Sequence, residues 1–159
     1  MLTVIRGGGD LATGIALRLR RSHIQVVMTE IERPTAIRRT VFYSTAIVSD
    51  KIAVEETMAR RAENIFQARE LLREGVVPVL VDPAGSCIPR LRPDVVVDAI
   101  LAKKNLGTKI TDAPVVIGVG PGFTAGEDCH AVVETMRGHY LGRVIYQGTA
   151  IPNTGIPGL

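Results

Sequence analysis

Residues 2 to 30 read LTVIRGGGDLATGIALRLRRSHIQVVMTE, two apolar runs with a glycine cluster between them. After the glycines, apolar side chains recur at helical spacing, as in Leu11, Ile15 and Leu19. A second apolar and β-branched run follows at 25–29. This order of strand, tight turn, helix and strand predicts a βαβ unit, with both strands inside a buried parallel sheet.

The glycine cluster matches the pattern G-x-G-x-x-A, directly after a predicted strand and at the start of a predicted helix. The first glycine lets the chain turn, and the third leaves room for a pyrophosphate, whose charge favours a helix N-terminus. The alanine allows the helix to pack closely on the sheet. Similar turns also occur without a ligand. The candidate nucleotide-binding residues of this turn are Gly7, Gly8, Gly9, Asp10, Leu11 and Ala12.

Glu30 ends the second predicted strand, roughly 20 residues beyond Gly9. An acidic residue at this position typically accepts the hydrogen bonds of an adenosine ribose, so Glu30 favours nucleotide binding over a plain turn. Arg33, Arg38 and Arg39 follow closely and are candidates for contact with a second anion, including a 2′-phosphate. Exposed basic residues are more often simply solvated.

The rest of the chain continues the alternation of strands and helices. The pattern predicts a helix at 62–74, buried strands at 76–81, 95–100 and 115–119, helical turns at 101–111, a short helix at 127–137 and a strand at 143–147, and leaves 34–49 open between helix and irregular structure. We therefore expect an α/β fold, a Rossmann-like doubly wound, mainly parallel sheet with helices on both faces. Residues 1–150 are expected to form one nucleotide-binding domain, and 151–159 an extended tail or the start of a missing C-terminal part.

A second glycine loop, at 120–126, follows the last long strand. Thr124 and Glu127 have the spacing of a capping box at the start of the predicted helix. Because loops after parallel strands emerge at one edge of the sheet, this loop and the first are expected to face one crevice. Gly120, Gly122 and Thr124 are therefore candidates to hold the other half of a ligand, and a plain capped turn is the alternative.

Asp82 and Asp98 end predicted strands at the same edge, with Lys103 and Lys104 shortly after Asp98. A carboxylate and an ammonium group there are candidates to polarise a substrate, although an aspartate at a strand end more often caps a loop. The identity of any catalytic residue is left open.

The two cysteines form no CxxC pair and suggest no disulfide framework. Cys129 falls in the first turn of the predicted helix at 127–137, where the dipole would lower the pKa of its thiol, and Cys87 falls in a loop after a strand. Either thiol is a candidate carrier of sulfur or selenium. The alternative is that both are buried and unreactive, as most isolated cysteines are. His130 and Glu134 form only a lone i,i+4 pair, and no metal site is predicted.

Composition excludes several classes of protein. The net charge is +3, with 15 Arg and 4 Lys but no long basic run with interleaved aromatic residues, so no nucleic-acid partner is expected. The N-terminal apolar run is too short for a signal peptide, and no stretch approaches 18 apolar residues, so no membrane partner is expected. The expected compartment is the reducing cytoplasm.

Four stretches resemble the YqeB family of accessory proteins for selenium-dependent molybdenum hydroxylases, relatives of the XdhC-type maturation factors. They read VIRGGGDLATGIALRL, MTEIERPTAIRRTV, VDAILAKKN and GPGFTAGEDCHAVVETMRGHYLGRVIYQGTAIPNTG. They cover most of the chain apart from about 44–75 and 83–93. The resemblance implies a Rossmann-like domain that works beside molybdoenzyme maturation. It also places the following residues in family motifs: Gly7, Gly9, Thr13, Arg38, Arg39, Gly120, Gly122, Thr124 and Asp128.

Family members continue after the NTGIPG segment into a small β-rich part that resembles biotinyl or lipoyl carriers, whereas this sequence stops at Leu159. The leading hypothesis is a nucleotide-binding maturation factor of a molybdenum hydroxylase. The expected ligand is NAD, NADP or another nucleotide, with the dinucleotide form of molybdopterin as one alternative, and a homodimer is also expected. The competing hypotheses are an NAD(P)-dependent oxidoreductase of a small molecule, for which no proton-transfer residue is visible, and a nucleotide sensor without turnover.

Overall fold

The computed structural model describes residues 1–34 and 42–152. In chain order the strands and helices are β1 (Leu2–Arg6), α1 (Asp10–Arg21), β2 (Gln25–Glu30), α2 (Ala46–Ser49), β3 (Lys51–Val54), β4 (Thr57–Ala62), α3 (Ile65–Arg73), β5 (Val77–Val81), α4 (Ile88–Leu91), β6 (Val95–Asp98), β7 (Val115–Val119), β8 (Ala131–Val133) and β9 (Val144–Ile145). A single 3₁₀ turn, Tyr43–Thr45, precedes α2.

Within the described ranges the strands form one sheet in the order β3-β4-β5-β2-β1-β6-β7-β8-β9. The strands from β4 to β8 in this order run parallel, and β3 and β9 pair antiparallel at the two edges. After β1 the chain first forms β2 to β5, which all lie on one side of β1. It then crosses to the other side of β1, where it forms β6. The strand order therefore reverses between β1 and β6, which is where open α/β sheets bind their ligands.

Apolar side chains of successive strand residues enter two different cores. Ile5 packs in a cluster with Ala16 of α1, whereas Val4 packs in a cluster with Ala68 of α3 and Leu91 of α4. Period-2 alternation of a strand explains this separation, because neighbouring residues point to opposite faces. The predicted α/β class, with a mainly parallel sheet and helices on both faces, is confirmed.

The helix predicted at 127–137 is wrong. Residues 131–133 form β8, which pairs in parallel with β7 in the register Ile117↔Ala131 to Val119↔Val133. Val132 is fully buried in this arrangement. The β-branched pair Val132-Val133 suits a pleated strand, and the edge of β7 supplies the hydrogen-bonding partner that no local pattern reveals.

Other elements are shorter than predicted or were not predicted. The helix expected at 62–74 begins only at Ile65, because Ala62 still belongs to β4. The helical turns expected at 101–111 are absent from that described segment, where Asn105 Oδ1 instead accepts the backbone N–H groups of Gly107 and Thr108. The hairpin β3–β4 was not predicted at all. Residues 35–41 of the segment left open lie outside the described residues.

Candidate nucleotide-binding site

The first glycine turn lies at the point where the strand order reverses. Gly7 has φ +103, and a Cβ atom there would lie 2.8 Å from the carbonyl oxygen of Ala99, just after β6. A Cβ atom on Gly8 would lie 3.0 Å from the backbone nitrogen of Ser44. These two glycines are therefore required by the close approach of other parts of the chain.

Gly9 differs from its two neighbours because a Cβ atom there would meet nothing within 4 Å. It is the N-cap residue of α1, and no side chain of the described residues caps this helix end. The first N–H groups of a helix have no partner within the helix, so this end offers free donors next to open space. Asp10 and Leu11 are exposed there, whereas Ala12 is buried in the core beneath α1.

Thr13 holds the glycine turn in place. Its buried hydroxyl donates to the carbonyl of Gly8 at 3.3 Å and accepts the backbone N–H of Tyr43 at 3.0 Å. The backbone N–H of Ser44 also donates to Gly8, at 2.9 Å. Thr13 therefore fixes the turn to the 3₁₀ segment from inside and does not face the open space at Gly9.

Glu30 ends β2 next to the turn, as the sequence predicts. Its Oε2 accepts the backbone N–H of Gly8 at 2.9 Å, and its Oε1 accepts that of Ile31 at 2.8 Å. Each carboxylate oxygen has capacity for a second hydrogen bond, which is what the hydroxyls of a ribose require. Arg33 is exposed nearby, and Arg38 and Arg39 lie outside the described residues.

The second glycine loop packs against the segment that leaves β6. A Cβ atom on Gly122 would lie 2.7 Å from Cα of Lys104, and one on Gly120 would lie 3.2 Å from the side chain of Leu101. Both glycines have positive φ, +83 at Gly120 and +109 at Gly122. Three glycines in this loop suggest that another group approaches its backbone closely. At Gly120 and Gly122 that group is part of the protein itself. Ligand binding by this loop stays a prediction.

Thr124 does not form the predicted capping box, because no helix follows it. Its backbone N–H instead donates to the carboxylate of Asp128 at 2.9 Å and closes a short turn. The two glycine loops do emerge at the same edge of the sheet. Residues 99–104 lie between them, in contact with Gly7 on one side and with Gly122 on the other.

The packing role of Gly122 gives a testable prediction. Gly122→Ala and Gly126→Ala both place a side chain at positive φ, which costs about 1–2 kcal/mol. Only Gly122 faces backbone atoms, because a Cβ atom on Gly126 meets nothing within 4 Å. We expect Gly122→Ala to lose about 1–3 kcal/mol more free energy of unfolding than Gly126→Ala, measured by urea denaturation. Equal losses would contradict the packing role.

Asp82 and Asp98, the strand-end carboxylates, are both engaged by the protein. Asp82 accepts the backbone N–H groups of Ser86 and Cys87 and so caps the turn after β5. Burial alone would raise the pKa of Asp82, but these hydrogen bonds outweigh it and lower the pKa below its ordinary value. Asp98 is buried, and its Oδ2 accepts the hydroxyl of Thr108 at 2.6 Å.

Sequence reasoning missed Arg6, whose Nη1 lies 3.8 Å from the Asp98 carboxylate. Its side chain is 1% exposed. A charged residue directly at the end of a buried apolar strand was the available signal, because such a charge needs a partner inside the protein. Lys103 and Lys104 are exposed at the surface.

Both cysteines are buried, and Cys129 is not at a helix N-terminus because the predicted helix is absent. Burial raises the pKa of Cys87 to about 12, and burial also raises the pKa of Cys129. The thiolate is the reactive form of cysteine. Neither environment therefore activates its thiol for sulfur or selenium transfer.

We accordingly expect both thiols to resist modification in the folded protein. At about pH 8, raising a thiol pKa from about 8.5 to about 12 lowers the thiolate fraction on the order of a thousandfold. Titration with a chromogenic disulfide reagent should detect no fast-reacting thiol until concentrated urea is added, after which both should react. A stoichiometric fast phase without urea would revive the carrier hypothesis.

A metal site and a membrane-spanning helix each have requirements that can be compared with the described residues. No group of three or more His, Cys, Asp or Glu side chains there is placed to hold a metal ion. His130 Nδ1 accepts the backbone N–H of Val116 at 2.9 Å, and without the predicted helix its i,i+4 pairing with Glu134 does not arise. None of the described helices has the length and apolar character needed to cross a membrane.

The fold and the glycine turn together define a Rossmann-like α/β domain. Among curated proteins, the chain is 55% identical over 157 residues, 99% of its own length, to "Uncharacterized protein YqeB" of Escherichia coli strain K12. The likeness to YqeB predicted from the motifs is thus confirmed. The chain spans 29% of the length of that relative. No family model matches the chain. No solved structure matches it either.

Proposed function

We propose that this chain binds a nucleotide, or a cofactor that contains one, at the turn Gly7–Gly8–Gly9. The supporting observation is the uncapped N-terminus of α1, which opens onto free space at Gly9 where the strand order of the sheet reverses. Free N–H groups and the positive end of the helix dipole favour a phosphate at this position. A twelve-residue helix such as α1 carries this dipole over more than three turns.

Glu30 supports a nucleotide rather than a simple anion. Its Oε2 accepts the backbone N–H of Gly8. The carboxylate therefore lies one residue away from Gly9, where we propose that the phosphate binds. A ligand with a phosphate on α1 and hydroxyl groups on Glu30 is the adenosine half of a dinucleotide or a similar ribonucleotide. NAD and NADP are the first candidates, followed by other ribonucleotides and the dinucleotide form of molybdopterin.

The biological setting that we propose is maturation of a selenium-dependent molybdenum hydroxylase, with this chain as an accessory factor that supplies or modifies the cofactor. This part rests on the resemblance of the motifs to that family of accessory proteins. The partner is then a molybdenum hydroxylase, and the nucleotide-binding domain delivers or protects a pterin-type ligand. We further propose a homodimer and a cytoplasmic location.

Calorimetric titration of the purified chain with NAD, NADP, ADP, CTP and CDP tests the nucleotide site. We expect saturable binding of at least one of them with a stoichiometry of one per chain. If a dinucleotide binds, a hydride-transfer assay separates a maturation factor from an NAD(P)-dependent oxidoreductase. If none of the five nucleotides binds, the proposed nucleotide site is contradicted. Co-purification of a molybdenum hydroxylase on the tagged chain tests the proposed partner.

A further inference from the structure

Arg6 is a buried cation that the proposed nucleotide site does not use. Its Nη1 donates to the hydroxyl of Thr108 at 2.7 Å, and its Nη2 donates to the carbonyl of Pro83 at 2.9 Å. The Nε–H is buried and has no acceptor among the described residues. Nearly all buried donors in folded proteins are paired, so an orphaned one calls for a ligand or an ordered water.

Arg6 also lines a cavity of about 410 Å³ at the carboxyl edge of the sheet. The cavity lies between the turn that follows β5 and the loop at 107–112. Its size is within the range of roughly 300–1,000 Å³ that small-molecule pockets occupy. The side chains of its lining that carry charge or hydroxyl groups are those of Arg6, Ser86, Lys109, Thr111 and Asp112.

The lining offers unused side-chain donors beside one carboxylate. The Lys109 ammonium and the hydroxyl of Thr111 form no side-chain hydrogen bond or ion pair with any described residue, whereas the hydroxyl of Ser86 is directed at the carboxylate of Asp82. The one carboxylate of the lining, Asp112, already accepts the backbone N–H of Lys109 at 2.9 Å. A group that accepts several hydrogen bonds and donates none, such as an oxyanion, complements this set.

Gly85 allows the turn after β5 to lie close to the orphaned donor. It has φ +70, and a Cβ atom there would lie 3.4 Å from Nε of Arg6 and 3.1 Å from Cδ1 of Ile88. A side chain at this position would crowd Ile88, so the turn requires glycine in order to lie this close to the guanidinium group.

We propose that this cavity binds the phosphate or carboxylate group of a small molecule. The Nε–H of Arg6 and the ammonium of Lys109 are its charged donors, and the hydroxyl of Thr111 adds a neutral one. Asp98 and Thr108 hold the guanidinium group in place, so its donor is oriented before the ligand arrives. The site lies on the α3 and α4 side of the sheet, whereas the glycine turn opens at α1.

Titration with inorganic phosphate and with acetate, followed by NMR of the Arg6 Nε–H resonance, tests this proposal. The experiment uses the Gly9→Asp variant, so that an anion bound at the glycine turn does not contribute. We expect a saturable downfield shift of the Nε–H resonance with at least one of the two anions. Binding of phosphate alone assigns a phosphorylated ligand, binding of acetate alone assigns a carboxylate, and binding of both assigns a general oxyanion site.

Lys109→Gln keeps a polar side chain, one atom shorter, and removes its charge. We expect it to weaken binding about tenfold, because a charged hydrogen bond contributes more than a neutral one. Lys51→Gln, on the distant edge strand β3, is the matched control and should leave the affinity unchanged. An Nε–H resonance that neither anion shifts, or an equal affinity in the two lysine variants, would overturn the oxyanion site. Neither result bears on nucleotide binding, which is measured separately on the unmodified chain.

Discussion

Gly9→Asp is expected to reduce nucleotide affinity at least about a hundredfold without loss of the fold. The new carboxylate would lie where the phosphate binds, and two unit charges about 4 Å apart repel by about 4 kcal/mol at an effective dielectric constant of about 20. The fold should persist because a Cβ atom on Gly9 meets nothing within 4 Å. Aspartate is moreover a favoured N-cap residue.

The measurement is the nucleotide titration repeated on the variant, together with its thermal unfolding. Gly14→Asp is the matched control, because Gly14 is exposed on α1, one turn further along, and a Cβ atom there also meets nothing within 4 Å. The control adds the same charge to the same helix away from its N-terminus. An affinity of Gly9→Asp equal to that of the control would place the nucleotide elsewhere.

Asp98→Asn is expected to lower the free energy of unfolding by about 3–5 kcal/mol, since it leaves the buried guanidinium of Arg6 without a counter-charge. The exposed pair of Asp50 and Arg60 provides the matched control. Asp50→Asn removes the same charge at the surface, where an ion pair contributes about 0–1 kcal/mol.

Urea denaturation followed by circular dichroism measures both effects. The double variant Arg6→Met/Asp98→Asn should regain part of the lost stability, because removal of the second charge relieves the unpaired one. A loss for Asp98→Asn no larger than that of Asp50→Asn would show that Arg6 does not depend on this carboxylate.

The course of the chain from β1 to β2 was predictable because its signals are local. Apolar runs, helical spacing and a glycine cluster lie within 29 consecutive residues, from Leu2 to Glu30. Glu30 was also placed correctly beside the turn, since the position of a strand end follows from the length of one helix and one strand.

The second glycine loop shows the limit of such reasoning. Its glycines predict either space for a ligand or a plain capped turn, and at Gly122 the space is filled by Lys104. The helix predicted at 127–137 is wrong for a similar reason, because Val132 and Val133 of β8 pair with β7 and no pattern within 127–137 encodes that pairing. Cys129 therefore lies buried in the connection between β7 and β8, and not at a helix N-terminus that would lower the pKa of its thiol.

The sequence by itself determined the order of strand, turn, helix and strand from Leu2 to Glu30 and the position of Glu30 at its end, because backbone preference and side-chain periodicity act over a few neighbouring residues. Only the tertiary structure decided which glycines face solvent, which face backbone, and that Arg6 meets Asp98 and Thr108. These outcomes depend on atoms from other segments of the chain, and the hydrogen bond between Arg6 and Thr108, for example, joins residues 102 positions apart. What fills the space beside a residue is set by packing, and packing is a property of the whole folded chain.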